Sequence, residues 1–494
     1  MTRFFSAILS AVLLSLPFFN PCLWIFSWVA LIPLFVSLEG RSLSGSFVAG
    51  FICGLFFWGL AIYWLIHVTF IGQAALVLYL AVYFGVFACA VHASGFLPPG
   101  ARLFFIPCSW VILEYIRSHL FTGFPWALVA FSQYKNLPVI QLAGITGAWG
   151  VSFVLIFTNT AIYLFFRKRL KVKQFLICVC ALLLLLGSGF FVLYRGRETH
   201  AGGGRLKVSV IQGNVPQDLK WDSSVAGGIL NKYLRLTASA AGDNPDLIVW
   251  PEASVPFIFG EAAGAGQFER IFGLAGRLRK NLLLGAVSYS QGAYFNSALL
   301  VNGLGQPEQM YSKIHLVPFG EYVPLKEVFP FLQTITPIGE INPGRDYVVF
   351  STPADFSVLI CFEDLFPELS REFVRRGAEF LVNITNDAWY KQGSAPYQHL
   401  AASVFRAVEN RVYLVRSANT GVSCFIDPWG REVATVKDGS GRDIFVQGYC
   451  THDLRLGRGG RTFYNRYGDF FVFFCLLACA AIIGAWLFFR PAKT

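Results

Sequence analysis

The chain has 494 residues, of which 55% are hydrophobic and only 14% charged, with 50 Phe and 12 Trp. Soluble domains carry about 25% charged residues, so a wholly soluble globular protein is excluded and much of the chain is expected to lie in lipid. The net charge of +11 does not mark a nucleic-acid binder. The basic run Arg167-Lys168-Arg169-Leu170-Lys171-Val172-Lys173 sits beside an apolar segment, where such runs set topology.

In chain order, apolar segments recur at roughly 4–19, 21–38, 45–66, 74–95, 102–120, 138–165 and 174–194, with an eighth at 469–489. Most reach the ~20 residues needed to cross a bilayer. The first, short and preceded by Arg3, has the look of a signal peptide. However, no small-x-small cleavage site follows, and Pro17 to Pro21 reads as a tight turn, so the segment is expected to be retained. With a cytoplasmic N-terminus, Arg41, Arg102, the 167–173 run, Arg490 and Lys493 all fall inside. The opposite loops carry little beyond Lys135. This positive-inside pattern places both termini in the cytoplasm and residues 195–468 outside, in the periplasm of a two-membrane bacterium. Glu114 and Arg117 share a helix face and are expected to form a structural ion pair. Thr122 to Trp126 reads as a turn with its Trp at the membrane interface.

Arg195 to Arg205 reads as a linker. Beyond it, short Val/Ile-rich runs at 206–212, 246–250, 281–289, 297–302, 356–361, 380–385, 412–416, 422–426 and 444–449 predict strands. Amphipathic stretches at 223–241, 265–280, 366–377 and 396–411 predict helices. Interleaved in this way, they predict a layered αβ domain with helices covering a central pair of sheets. The domain organisation is then 1–194 membrane, 195–205 linker, 206–468 polar domain and 469–494 final span with its tail.

Of the 11 cysteines, only Cys361, Cys424 and Cys450 lie in the polar domain. No CxxC or Cys/His spacing suggests a metal site or a disulfide framework, and no cofactor motif is present. Three stretches concentrate reactive groups. One strand ends in Trp250-Pro251-Glu252. A loop from Tyr311 to Pro324 carries Lys313, His315 and Glu321. The apolar run Phe356 to Ile360 ends on Cys361, followed by Phe362, Glu363 and Asp364. Singly, each has a bland reading: a helix-start acid, a solvated cation, a buried small residue. Together they supply a base, a cation and a nucleophile from three segments of one domain.

These contexts, Trp-Pro-Glu, Lys-x-His-Leu-Val-Pro-Phe-Gly-Glu and Cys-Phe-Glu, resemble the nitrilase (carbon–nitrogen hydrolase) superfamily. With the membrane half, the chain is similar to the membrane-embedded branch that completes bacterial lipoprotein maturation. Supporting residues are Trp110, Glu114, Arg117, Gln133, Gln212 to Asn214, Lys220-Trp221, Asn386 to Trp389 and Gln398-His399. The resemblance implies eight transmembrane helices plus an extracytoplasmic nitrilase-like α-β-β-α sandwich. It implies Cys361 as nucleophile, Glu252 as general base and Lys313 as oxyanion stabiliser, supported by Glu321 and Glu363. Trp221, Phe362 and Trp389 would contact substrate. A phospholipid would donate an acyl chain, through a Cys361 thioester, to the N-terminal amine of a diacylglyceryl-cysteine apolipoprotein. The enzyme would be a cofactor-free, metal-free monomer of the inner membrane that binds no nucleic acid. Phe362 stands where some relatives have Tyr, which leaves no hydroxyl there. His315 is expected to be structural and His399 to contact only backbone.

Two other readings stay open. One is a membrane-anchored amidase or nitrilase acting on a small C–N substrate, for which seven preceding spans are more than an anchor needs. The other is a transporter or receptor with a degenerate binding domain. Against it, the spans lack the buried ionisable residues of a transport path.

Overall fold

The computed structural model describes residues 2–199, 204–323, 340–457 and 461–488. Arg490, Lys493 and Pro324 lie outside the described residues. The chain divides into two compact units, Met1–Gly196 with Thr462–Thr494, and Arg197–Arg461.

The first unit is helical. Among the described residues, six helices are long and apolar enough to cross a membrane: Pro21–Leu38, Leu43–Ala61, Phe70–Phe96, Ala148–Phe166, Val172–Gly196 and Phe470–Phe488. The helices Thr2–Phe19 and Pro99–His119 are further long elements outside that set. The apolar segment at 138–165 is not one helix. It runs as Leu137–Ile140, Ala143–Thr146 and Ala148–Phe166. The break falls at Gly147, whose φ of +66° suits glycine, and a Cβ there would lie 2.5 Å from the Tyr464 ring. The helix from Val172 continues to Thr199 and a strand starts at Gly204, so Arg195 and Arg205, expected in a linker, lie in regular elements; residues 200–203 of that expected linker lie outside the described residues.

Irregular backbone inside an apolar unit needs internal partners. Gln133 accepts from the Trp28 indole at 3.0 Å and donates to Trp24 O at 2.9 Å. Asn159 donates to Ser27 O at 2.9 Å and accepts from Leu31 N at 2.8 Å. Glu114 and Arg117, expected to pair with each other, instead hold the loop that follows their helix. Glu114 accepts from Val129 N at 2.9 Å. Arg117 donates to Phe124 O and to Trp126 O and covers the Trp58 ring. Trp126 is buried against Trp64, at 1% exposure, rather than placed at the surface of the unit.

The second unit holds two sheets. Its strands are β1 (Gly204–Gln212), β2 (Leu247–Val249), β3 (Val255–Phe259), β4 (Asn281–Ser290), β5 (Ala293–Val301), β6 (Pro307–Ser312), β7 (Phe350–Ser351), β8 (Asp355–Ile360), β9 (Phe380–Thr385), β10 (Tyr413–Ala418), β11 (Cys424–Ile426), β12 (Glu432–Thr435) and β13 (Gly448–Leu456). One sheet runs β13-β1-β2-β4-β5-β6, with β3 on β4; the other runs β12-β11-β10-β9-β8-β7. The β1-β2-β4 and β8-β9-β10 runs are parallel. Accordingly β2 reads as the all-apolar stretch Leu247–Val249 and β9 is buried along its whole length, as strands covered on both faces are.

The inner faces meet through β10, where Ser417 Oγ donates to Ile211 O at 3.0 Å on β1 and Val249 O at 3.2 Å on β2. Helices Ser223–Ala241 and Ala265–Leu278 cover the first sheet around a core that includes Leu230, Tyr233, Trp250, Phe268 and Ile271. Helices Pro367–Arg375 and Ala395–Asn410 pack on the second. The result is an α-β-β-α sandwich. The strand expected at 444–449 starts instead at Gly448, where β13 pairs antiparallel with β1. β3, β6, β7 and β12 were not expected, being short or polar.

Candidate active site

Three strand ends bring the reactive groups together. β2 runs into Trp250, which is fully buried, stacks on Tyr233 and donates its indole N–H to Thr237 at 2.8 Å. That anchor fixes the turn carrying Glu252, itself 8% exposed. Gly285 on β4 lies under this turn, where a Cβ would meet Pro251 O at 2.5 Å and Glu252 Cα at 2.7 Å. β6 runs into Lys313, whose backbone N–H donates to Asn296 O at 2.8 Å. β8 ends on Cys361, which adopts a φ of +54° and opens a short turn to Leu365. A left-handed residue other than glycine costs roughly 1–2 kcal/mol, and such strain is stored where the surroundings enforce it.

The surroundings here are Glu363 and Asn383. Glu363 is fully buried. One carboxylate oxygen accepts from Ile360 N at 2.7 Å; the other accepts from Tyr311 Oη at 2.8 Å, Ile314 N at 2.7 Å and His315 N at 3.1 Å. This side chain ties the cysteine turn to the lysine loop. Burial pushes its carboxyl up to about 7, against the pull of those donors and of Lys313. Asn383 donates to Cys361 O at 3.2 Å from β9.

Lys313 is 1% exposed. Its Nζ lies 2.8 Å from Glu321 Oε2 and 3.8 Å from Glu252 Oε1. Asn296 Nδ2 bridges the same two carboxylates, at 2.7 Å to Glu252 and 2.8 Å to Glu321. Burial alone would lower the lysine's pKa, but Glu321 and Glu252 outweigh it and raise it above its ordinary value. Burial pushes the Cys361 thiol up, and the Glu252 carboxylate pushes it further, while the Lys313 charge opposes both. The resting site therefore holds a lysinium and a protonated thiol.

Beneath the cysteine turn lies a charged cluster with no exposure. His399 Nδ1 is 2.8 Å from Asp387 Oδ1 and its Nε2 is 2.9 Å from Asp364 Oδ1. Arg416 bridges the same aspartates at 3.0 and 3.2 Å, and Ser403 donates to Asp364. Burial and the Arg416 charge act against the imidazolium, but Asp364 and Asp387 push His399 up to about 9. Expected from sequence to contact only backbone, His399 instead holds two buried carboxylates in place. His315 packs its ring on Phe366.

Of the residues expected to contact substrate, Trp221, in a turn, and Trp389, in the short 3-10 helix Asp387–Tyr390, are half exposed, at 51% and 48%. Phe362 is buried beside Phe366. Sequence reasoning missed Asn296 and the inward-facing Lys220. Asn296 is an uncharged residue inside an apolar strand, and Lys220, flanked by Asp218 and Asp222, has the local setting of a solvated turn.

A Glu, a Lys and a Cys at the strand ends of an α-β-β-α sandwich define a carbon–nitrogen hydrolase domain, and the carbon–nitrogen hydrolase family model matches residues 207–459. The model of the apolipoprotein N-acyltransferase N-terminal domain matches residues 10–161. A Geobacter metallireducens protein named apolipoprotein N-acyltransferase is 39% identical over 98% of this chain and 95% of its own length. One of the same name from Chlorobaculum tepidum is 30% identical over 96% and 94%. An amidase of Nesterenkonia sp. is similar to 55% of the chain, covering 96% of its own, at 18% identity and a TM-score of 0.40. The chain belongs to the apolipoprotein N-acyltransferase family, and with its six apolar helices it is a multi-pass membrane enzyme of the acyltransferase class.

Proposed function

We propose that this protein moves an acyl chain from a membrane glycerophospholipid to the N-terminal amine of a diacylglyceryl-cysteine apolipoprotein, through a thioester on Cys361. The observation that carries the reading is the Lys313 ammonium held between Glu321 and Glu252, with the Lys313 and Glu252 charges acting on the Cys361 thiol.

Because the thiol is protonated at rest, attack requires a base at the moment of reaction. Glu252 takes the Cys361 proton as sulfur bonds to the ester carbonyl carbon. The carbonyl electrons move onto oxygen, and the Lys313 ammonium stabilises that oxyanion. The oxyanion collapses, the ester C–O bond breaks, and Glu252 returns the proton to the departing lysophospholipid. The neutral acceptor amine then attacks the thioester. Glu252 takes an amine proton, the C–S bond breaks, and Cys361 regains its proton as the amide forms. One covalent intermediate shared by two half-reactions implies ping-pong kinetics. Glu321 orients the lysine, Glu363 positions the cysteine turn, and Trp221, Phe362 and Trp389 make apolar contacts to the lipid chains.

The topology that serves this chemistry has eight spans, the six most apolar helices together with Thr2–Phe19 and Pro99–His119. Both termini are cytoplasmic and the catalytic domain is periplasmic, at the inner membrane. Lipid-anchored substrates then arrive by lateral diffusion. The enzyme works as a monomer, without cofactor or metal.

Intact-mass measurement of wild type and Cys361→Ala after exposure to phospholipid tests the reading. A hydroxylamine-labile acyl adduct is expected on wild type alone. An unmodified wild type, or the same adduct on the alanine variant, would show the nucleophile to be misassigned.

A further inference from the structure

Lys220 lies in the turn between β1 and the helix Ser223–Ala241, beside Trp221. The two neighbours face opposite ways: Trp221 is 51% exposed, whereas Lys220 is 5% exposed. A lysine is almost never buried without a charged or polar partner. Its Nζ donates to the backbone carbonyl of Glu252 at 3.1 Å, which places a second ammonium beside the turn that carries the proposed base.

Charge balance gives this position meaning. Glu252, Glu321 and Lys313 together leave one uncompensated negative charge. The deeper cluster of Asp364, Asp387, His399 and Arg416 is neutral in itself with a protonated imidazole. Glu363, the remaining buried carboxylate of the cysteine turn, can only add negative charge. That charge stays in the site when Cys361 ionises, because Glu252 takes its proton and only the place of the charge moves to sulfur; it remains unbalanced unless Lys220 supplies the counter-charge. The groups that act on Lys220 are the Glu252 carboxylate and Cys361 once it ionises.

We propose that Lys220 is a positioning residue for the acyl-transfer reaction: its buried ammonium fixes the Glu252 turn and neutralises the site so that Cys361 can give up its proton. This deepens the reading of Cys361 as nucleophile and rests on it. Burial draws the lysine down to about 8, with Glu252 and Cys361 resisting. It is therefore still mostly protonated at neutral pH, where the role is needed. Lys313 and Lys220 then divide the work. The first is locked to Glu321 and faces the oxyanion; the second balances the base and the sulfur.

The test is the pH profile of Cys361 alkylation by iodoacetamide, read by mass spectrometry of the Cys361 peptide. It uses full-length protein in detergent, between about pH 6 and pH 10, for wild type, Lys220→Met and Lys220→Arg. Loss of an opposite charge near a thiolate raises its pKa by about one unit or more. Lys220→Met should therefore slow alkylation roughly tenfold at neutral pH, where the lysine carries its charge. Lys220→Arg, which keeps the charge, should restore most of that rate. A Lys220→Met profile that superimposes on wild type overturns the proposal. So does an arginine variant as impaired as the methionine one, which would mean that only the shape of the turn matters. A wild-type Cys361 that stays unalkylated throughout would instead remove the nucleophile reading, and the Lys220 proposal with it.

Discussion

Lys313 is bonded to Glu321 rather than to Glu252: its Nζ is 2.8 Å from the first carboxylate and 3.8 Å from the second. The shorter contact ties the ammonium to Glu321 and leaves Glu252 in the longer, weaker of the two ion pairs. Glu321 in turn is fixed by Val317 N at 2.8 Å and by Asn296.

Glu321→Gln should release this arrangement. The lysine would turn to Glu252, its nearest remaining carboxylate, and neutralise the base. Formation of the acyl adduct on Cys361 is expected to slow by about 100-fold, and stability to fall by about 3 kcal/mol, the range for breaking a buried pair. Intact-mass time courses and thermal unfolding in detergent measure the two effects. An unchanged acylation rate would mean that Glu321 does not control the lysine.

Gly285→Ala places a methyl within 2.7 Å of both Glu252 Cα and Ala253 N. The backbone of the turn must shift, since no flexible side chain can yield. Overpacking of this kind costs about 1–3 kcal/mol. Displacing a base by about 1 Å costs roughly 100-fold in rate. Acylation should therefore fall much further than thermal stability; the opposite order would place the Glu252 turn outside the reacting geometry.

His399 makes the domain sensitive to alkali. Its folded pKa, about 9, lies above the ordinary value of 6.5. The stabilisation is therefore complete below about pH 6.5 and is lost as pH rises through about 9, with a full size of about 3 kcal/mol. The midpoint of thermal unfolding should fall between pH 7 and pH 10 in wild type. The slope should be shallower in His399→Gln, whose overall stability is lower because two buried aspartates lose a donor. Equal slopes would show that His399 does not titrate in this range.

Glu363 acts in the same direction at lower pH. Burial lifts its folded pKa to about 7, from an ordinary value of 4.5. The folded state therefore favours the protonated acid, and stability that is full below about pH 4.5 declines as pH rises through about 7. Glu363→Gln should remove that decline between pH 5 and pH 7. It should also lower the unfolding midpoint throughout, because its amide group would meet the Ile360 N–H donor to donor. A variant that kept the wild-type slope would assign the titration to another group.

Local chemistry made much of this protein legible without its structure. A charge deficit and ~20-residue apolar runs are set by the bilayer and need no tertiary information. The amphipathic period placed the helix Ser223–Ala241, and apolar runs placed β8 and β9, because each element buries its own face. The motifs around Glu252, Lys313 and Cys361 stood out because reactive side chains at the ends of apolar strands are locally conspicuous. What tertiary structure alone decided was which distant groups meet. β1 pairs with β13 across the whole domain, and its register Gly204↔Leu456 is a property of neither strand by itself. The apolar run at 138–165 is interrupted at Gly147, where Tyr464, far along the chain, occupies the space a Cβ would need. Lys220 and Trp221 are adjacent and similar in their local setting, yet one is buried and the other exposed. Burial of a charge is decided by the partners that packing brings to it, and those of Lys220, His399 and Glu363 come from remote segments of the domain.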